Sequence, residues 1–319
     1  MRVLITGGFG YLGGRLARAL ATDSERDIVL GTRAPAGSPA WLPGARVVTM
    51  TWGSIPDLAR ACEGVDVVVH LAGLSADASE ADPTLSRDVN GTYSERLALG
   101  AARAKVGRII YASTARVYAN PLAGEVTERS PTTSSHPYAT SHRAGEEAIL
   151  SAHARGDLAG VVVRLSNAYG PPAHPDAPCW ELLVPDLARQ AAVEGRMTLR
   201  TPGLQRRDFI PISEACRAVE HLMYVPGHAL GEEPLFNVGG EWAPTVLEMA
   251  LLIQDRCEAF AGRRPPLERP AGPADETTPN LEYRIERLRA TGFAPSASRV
   301  QEIDDLLRCC RAWFRPNDP

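Results

Sequence analysis

Met1-Arg2-Val3-Leu4-Ile5-Thr6-Gly7-Gly8-Phe9-Gly10-Tyr11-Leu12-Gly13 opens the chain. Its apolar run, Val3 to Ile5, has no polar alternation, as in a strand buried on both faces. Glycines at 7, 10 and 13 follow at once, and residues 13–22 (GGRLARALAT) carry the period of an amphipathic helix. Strand, glycine turn and helix in this order make an anion cradle. The glycines permit a tight turn, close approach of backbone to a pyrophosphate and close packing of helix on strand, while N–H groups at the helix N-terminus face the anion. We therefore expect a dinucleotide site built from Gly7, Gly10, Tyr11, Leu12 and Gly13. A glycine pattern alone also marks ordinary turns; its place between a first strand and a first helix gives it weight.

The same alternation continues outward. Residues 27–33 (DIVLGTR), 65–73 (VDVVVHLAG), 107–114 (GRIIYAST) and 160–170 (GVVVRLSNAYG) read as strands; residues 54–64 (SIPDLARACEG), 93–104 (YSERLALGAARA) and 142–154 (HRAGEEAILSAHA) read as helices. Strands separated by helices imply an α/β fold with a doubly wound parallel sheet of the Rossmann kind. We assign residues 1–166 to a dinucleotide-binding domain, to which part of 205–240 returns. Residues 167–319 form mainly a smaller substrate-binding cap, with helices at 180–195 and 243–262 and a proline-rich exposed loop at 263–279.

Composition narrows the partners. The 319 residues are 44% hydrophobic, and 34 Lys+Arg against 38 Asp+Glu give a formal charge of -4. There is no basic surplus for a nucleic acid or an anionic membrane, so a small-molecule substrate is expected. The short apolar run before Gly7 has neither the length of a signal segment nor that of a membrane span, which points to a cytoplasmic protein. Six cysteines without a C-x-x-C pair suit reduced thiols. The spacing of His174, Asp176 and Cys179 fits no familiar ligand set, so no metal is expected.

The second strand bears on cofactor choice. An acidic residue at its end would bind a ribose 2′-hydroxyl, but this strand ends in Gly31-Thr32-Arg33. A small residue and a guanidinium suit a 2′-phosphate, which favours NADP(H) over NAD.

Several further motifs carry a family resemblance. TGGFGYLG (6–13), His70-Leu71-Ala72-Gly73, Asn90, YASTARVY (111–118), Tyr138-Ala139-Thr140-Ser141-His142, RLSNAYGP (164–171), Arg207-Asp208-Phe209-Ile210 and Phe236-Asn237-Val238-Gly239 resemble the extended short-chain dehydrogenases/reductases. That family includes nucleotide-sugar epimerases, dehydratases and 4-ketoreductases. The resemblance implies that Leu71, Ala72 and Gly73 border the cofactor. It makes Tyr138 the general acid/base, lets Thr114 share the substrate oxygen with it, leaves Ser113 as a neighbouring candidate, and matches Asn90 to the family's relay asparagine. Arg207 would bind a substrate diphosphate, with Gln205 alongside and Asn167 near cofactor and substrate. It also implies a homodimer.

Two departures matter. The family's Tyr-x-x-x-Lys, whose ammonium depresses the tyrosine pKa and binds the nicotinamide ribose, is here Tyr138-x-x-x-His142. Lys105 is the only lysine in the chain, so the site must use the imidazole, or a guanidinium such as Arg143 or Arg164. With an unperturbed pKa near 6.5, His142 would carry part of a charge at neutral pH and lose it above about pH 7. The family's second phosphate-binding arginine would fall on Gly272 of Gly272-Pro273-Ala274-Asp275 and is missing. The leading expectation is an NADPH-dependent ketoreductase acting on a nucleotide-linked keto sugar such as a 4-keto-6-deoxyhexose. A ketoreductase of another small natural-product intermediate, an NAD-dependent epimerase and a non-catalytic NADP sensor remain open.

Overall fold

A computed structural model describes residues 1–272 and 278–315. Seven parallel strands form the main sheet: β1 (Arg2–Thr6), β2 (Asp27–Thr32), β3 (Arg46–Thr49), β4 (Val67–His70), β5 (Arg108–Thr114), β6 (Ala159–Leu165) and β7 (Leu235–Val238), in the order β7-β6-β5-β4-β1-β2-β3. This is the doubly wound architecture anticipated from the strand–helix alternation. Helices cover both faces, which is why Val3, Leu4, Ile5, Val68 and Val69 are all fully buried. One face packs Leu16 and Leu20 of the helix Tyr11–Leu20 with Val219 and Leu222 of Ile212–Tyr224. The other packs Leu58, Leu97 and Ile149.

The edge strand β3 is missing from the sequence reading. It holds four residues, none of them buried, between a proline-rich loop and Trp52, so no apolar run marks it. The helix predicted from residue 142 begins earlier, at Pro137, and runs to Ala154. His136 caps it, its Nδ1 accepting from the Tyr138 N–H at 3.2 Å. Pro137 occupies the first turn, where a missing N–H costs nothing. The strand read over 160–170 ends at Leu165; Asn167–Tyr169 instead pairs with Phe209–Pro211, parallel.

A separate cluster gathers Tyr169, Val184, Leu187, Met249, Ile253, Ile303 and Leu306 from the later helices. Its helix Val246–Ala261 starts with a capping box between Thr245 and Glu248. Strand order reverses on either side of β1, so the carboxyl ends of β1 and β4 border a crevice where doubly wound sheets place ligands. No helix among the described residues is long and apolar enough to cross a membrane.

Candidate active site

Two hollows lie at the carboxyl ends of the strands. The larger, about 360 Å³, is lined by Gly7, Gly10, Thr32, Arg33, Leu71, Ala72 and Gly73, all singled out from the sequence, and by Phe9, Trp52 and Tyr93, which were not. Its floor fits a dinucleotide. Gly7 has φ +70, and a Cβ there would stand 2.9 Å from the Leu71 carbonyl, so only glycine keeps this approach open. A Cβ on Gly13 would meet the Gly7 oxygen at 2.2 Å, so Gly13 serves the packing of helix on turn and does not itself line the hollow. Nor do the Tyr11 and Leu12 side chains: Tyr11 Oη donates to the Gly170 carbonyl at 2.7 Å, tying the first helix to the second half of the chain, and Leu12 packs on the core. Trp52 and Tyr93 stack with ring centroids 5.7 Å apart. Their aromatic character was the available signal, without a motif to attach it to.

The second hollow brings Thr114, Asn167, Gln205 and Arg207 together with Arg116 and Arg206. Thr114 ends β5; Asn167 Nδ2 donates to the Asp208 carbonyl at 2.9 Å, which fixes the Arg207–Asp208 segment against it. Asp208 is fully buried and accepts from the N–H groups of Gly240 and Trp242 at 2.9 and 3.0 Å. Of the loop expected to carry a second arginine, Gly272 lies against Leu204 and Pro202; Pro273, Ala274 and Asp275 lie outside the described residues.

Tyr138, His142 and Glu146 fall four residues apart on one face of Pro137–Ala154. Tyr138 stands beside Thr114 and Arg116, which line the second hollow, without lining it itself. Burial raises its phenol pKa, while the Arg116 charge and the Thr114 side chain pull it back. His142 packs edge-on to Tyr138, centroids 4.6 Å apart, and its Nδ1 lies 2.9 Å from Tyr111 Oη. It is 6% exposed, and burial pushes its pKa down to about 4. The partial charge expected at neutral pH is therefore corrected: this imidazole is neutral there. The guanidiniums of Arg143 and Arg164 do not replace it. Arg143 donates to the Thr132 carbonyl at 2.7 Å, and Arg164 pairs with Glu146 at 2.6 Å.

Ser113 is also turned away from the reacting groups, its Oγ donating to Glu146 at 2.5 Å. Asn90 is fully buried beside them: its Oδ1 accepts from the Leu74 N–H at 2.9 Å and its Nδ2 donates to Ser141 Oγ at 3.0 Å, joining the turn after β4 to the helix of Tyr138. A buried chain of polar groups continues from it. Ser94 Oγ donates to the Asn90 carbonyl at 2.7 Å and meets His70 Nε2 at 3.0 Å, and His70 Nδ1 lies 2.6 Å from Thr6 Oγ1. Burial lowers the His70 pKa to about 3, helped by His142.

These imidazoles give a prediction about acid. Unfolded histidine titrates near 6.5, so below that pH the unfolded chain takes up protons that folded His70 and His142 refuse, and stability falls as pH drops toward 4. Asp208 opposes this: burial raises its pKa to about 6, so its stabilising share is present at low pH and is lost between about pH 4 and 6. Between pH 7 and 5 each histidine costs about 2 kcal/mol and Asp208 returns about 1. Urea unfolding at both pH values should show the decline, with about 2 kcal/mol less of it in His142→Gln; an unchanged slope in that variant would contradict a buried neutral imidazole.

A doubly wound sheet with a glycine turn at its switch point and a tyrosine–threonine pair beside it defines a dinucleotide-dependent enzyme architecture. Residues 3–239 match the NAD dependent epimerase/dehydratase family, and the chain belongs to it. The extended short-chain dehydrogenase/reductase resemblance is thereby borne out. Among similar proteins, the dTDP-glucose 4,6-dehydratase of Streptomyces niveus is 28% identical over 333 residues, covering 99% of this chain and 95% of that one. The UDP-glucose 4-epimerase of Azospirillum brasilense is 29% identical over 339 residues, covering 98% and 92%. Among solved structures, TunA, described as an NAD dependent-NDP-hexosamine 5,6-dehydratase involved in tunicamycin biosynthesis, superposes with a TM-score of 0.75 at 26% identity, covering 99% of this chain and 98% of that chain.

Proposed function

We propose that this chain is an NADPH-dependent ketoreductase acting on a nucleotide-linked keto sugar, of the 4-keto-6-deoxyhexose type, with Tyr138 as proton donor. One observation carries the reading: a phenol whose pKa burial raises further stands beside Thr114, which lines a hollow with three arginines and no carboxylate among its described lining residues. Dehydration needs, besides an acid, a base for a C–H proton, and no carboxylate among the described lining residues offers one. The names of the dehydratase and epimerase relatives support a nucleotide sugar as substrate.

When bound, the nicotinamide supplies the hydride. The chain's own residues do the rest. Tyr138 gives its proton to the oxygen that becomes the alcohol, and Thr114 provides that oxygen with a second hydrogen bond. His142 closes the side of Tyr138 as a neutral ring, so no ammonium stabilises a tyrosinate there and donation is favoured over abstraction. Residues 1–166, with the returning part of 205–240, hold the cofactor; the remainder of 167–319 covers the substrate.

Arg207 is assigned to the diphosphate. Arg207→Ala should raise KM for the nucleotide-linked substrate about 10- to 100-fold at unchanged cofactor affinity; normal turnover in this variant would remove the nucleotide-sugar reading. Arg33 is assigned to the 2′-phosphate. Arg33→Ala should weaken NADPH by on the order of 1–3 kcal/mol in calorimetry and leave NADH unchanged. Epimerisation with a retained NAD is the second reading, favoured by the epimerase relative and by the NAD dependence that TunA's description states. A wild type that binds both cofactors equally would move it ahead.

A further inference from the structure

Arg116 lies in the quoted run YASTARVY, two residues after Thr114, yet no expectation was attached to it. It stands in the single turn Ala115–Val117 that follows β5, partly buried, with its Cζ 6.0 Å from the centre of the Tyr138 ring. Arg207, also partly buried, lines the same hollow from the segment that runs into Phe209–Pro211. Their neighbour Arg206 is occupied, donating to the Ala243 carbonyl at 2.9 Å and lying 3.5 Å from Glu248. Among the described residues no carboxylate pairs with Arg116 or Arg207. Burial and the Arg116 charge together loosen the hold of Arg207 on its own proton.

Two partly buried guanidiniums that line one hollow without a carboxylate partner repel each other, and this cost falls when an oxyanion enters between them. The site that ought to supply a second cation, residue 272, is a glycine. We propose that Arg116 and Arg207 form a two-arginine clamp for one oxyanion of the substrate, Arg116 filling the role left empty at Gly272. The oxyanion is a phosphate of the nucleoside diphosphate, which the planar forks of two arginines suit. The proposal rests on the nucleotide-sugar reading and adds a residue to it. It also places the bound anion next to Tyr138 and Thr114, so that binding and the reacting oxygen share one wall.

The test is calorimetric binding of UDP, UDP-glucose and UDP-glucuronic acid to the full chain, for wild type, Arg116→Gln, Arg116→Lys, Arg207→Ala and the Arg116→Gln/Arg207→Ala double variant. A phosphate clamp predicts that Arg116→Gln weakens all three ligands about 10-fold or more, with the double variant losing less than the product of the single losses because both side chains hold one group. A loss confined to UDP-glucuronic acid would put Arg116 against a sugar carboxylate and overturn the shared phosphate clamp. Arg116→Lys recovers part of the affinity, and thermal stability stays near wild type. Unchanged affinity for all three ligands in Arg116→Gln, at intact weakening by Arg207→Ala, overturns the clamp alone. No weakening by Arg207→Ala either would instead sink the nucleotide-sugar reading beneath it.

Discussion

Tyr138→Phe is expected to lower kcat for carbonyl reduction by about 10²- to 10⁴-fold, the range that a positioned proton donor supplies, with cofactor affinity near wild type. The substitution removes one oxygen. Thr114 remains to hydrogen-bond the developing alkoxide, but its hydroxyl is a far weaker acid than a phenol. The ring itself stays, and with it the edge-on contact to His142 at 4.6 Å. Steady-state reduction of the keto sugar, with kcat and KM separated, measures the effect. A loss below about threefold would mean that another group delivers the proton.

Arg164→Ala is expected to destabilise the fold by about 3–5 kcal/mol, the cost of leaving one partner of a buried ion pair behind. Arg164 holds Glu146 through both guanidinium edges, Nε to Oε1 at 2.9 Å and an Nη to Oε2 at 2.6 Å, with the side chains 8% and 5% exposed. Burial alone would favour a neutral guanidine, but the hydrogen bonds and charge of Glu146 outweigh it and raise the Arg164 pKa. The guanidinium also lies over the Tyr118 ring at 4.7 Å. Removing it strands a buried carboxylate that keeps the hydrogen bond from Ser113 Oγ. Glu146 lies two turns beyond Tyr138 on the same helix face, so the pair also pins the helix of Tyr138 to β6. Replacing both partners, as in Arg164→Met/Glu146→Leu, should recover much of the loss. Urea unfolding of single and double variants decides it; a single-variant effect below about 1 kcal/mol would show the pair to be unimportant.

How far the sequence could be read depended on the kind of signal each residue leaves. Runs such as Val67-Val68-Val69 report a strand buried on both faces, because burial demands apolar residues whatever the neighbours are. The four residues of β3 satisfy no such demand at an edge, and Asn167–Tyr169 looked continuous with β6 because composition does not record where pairing switches from one sheet to another. At the site, spacing put His142 one helical turn from Tyr138, whereas Thr114, on the earlier strand β5, was joined to Tyr138 only by the family resemblance. Charge was not legible. Whether His142 is protonated depends on its depth, and Arg116 came into view only when β5 and the segment before Phe209 were brought to one hollow. The roles of Ser113 and Glu146 were likewise fixed by a buried pairing across more than thirty residues of chain, which no local pattern announces.

The central claim is net reduction with protonation by Tyr138, as opposed to internal recycling of the cofactor. The most direct measurement incubates the purified chain with a nucleotide-linked 4-keto-6-deoxyhexose and NADPH deuterated at the transferable position. NADPH oxidation is followed by absorbance and the product by mass spectrometry. The account predicts one deuterium in the product sugar for each NADPH oxidised, in wild type and not measurably in Tyr138→Phe. A product carrying no deuterium with no net loss of NADPH, or equal incorporation by Tyr138→Phe, would contradict it.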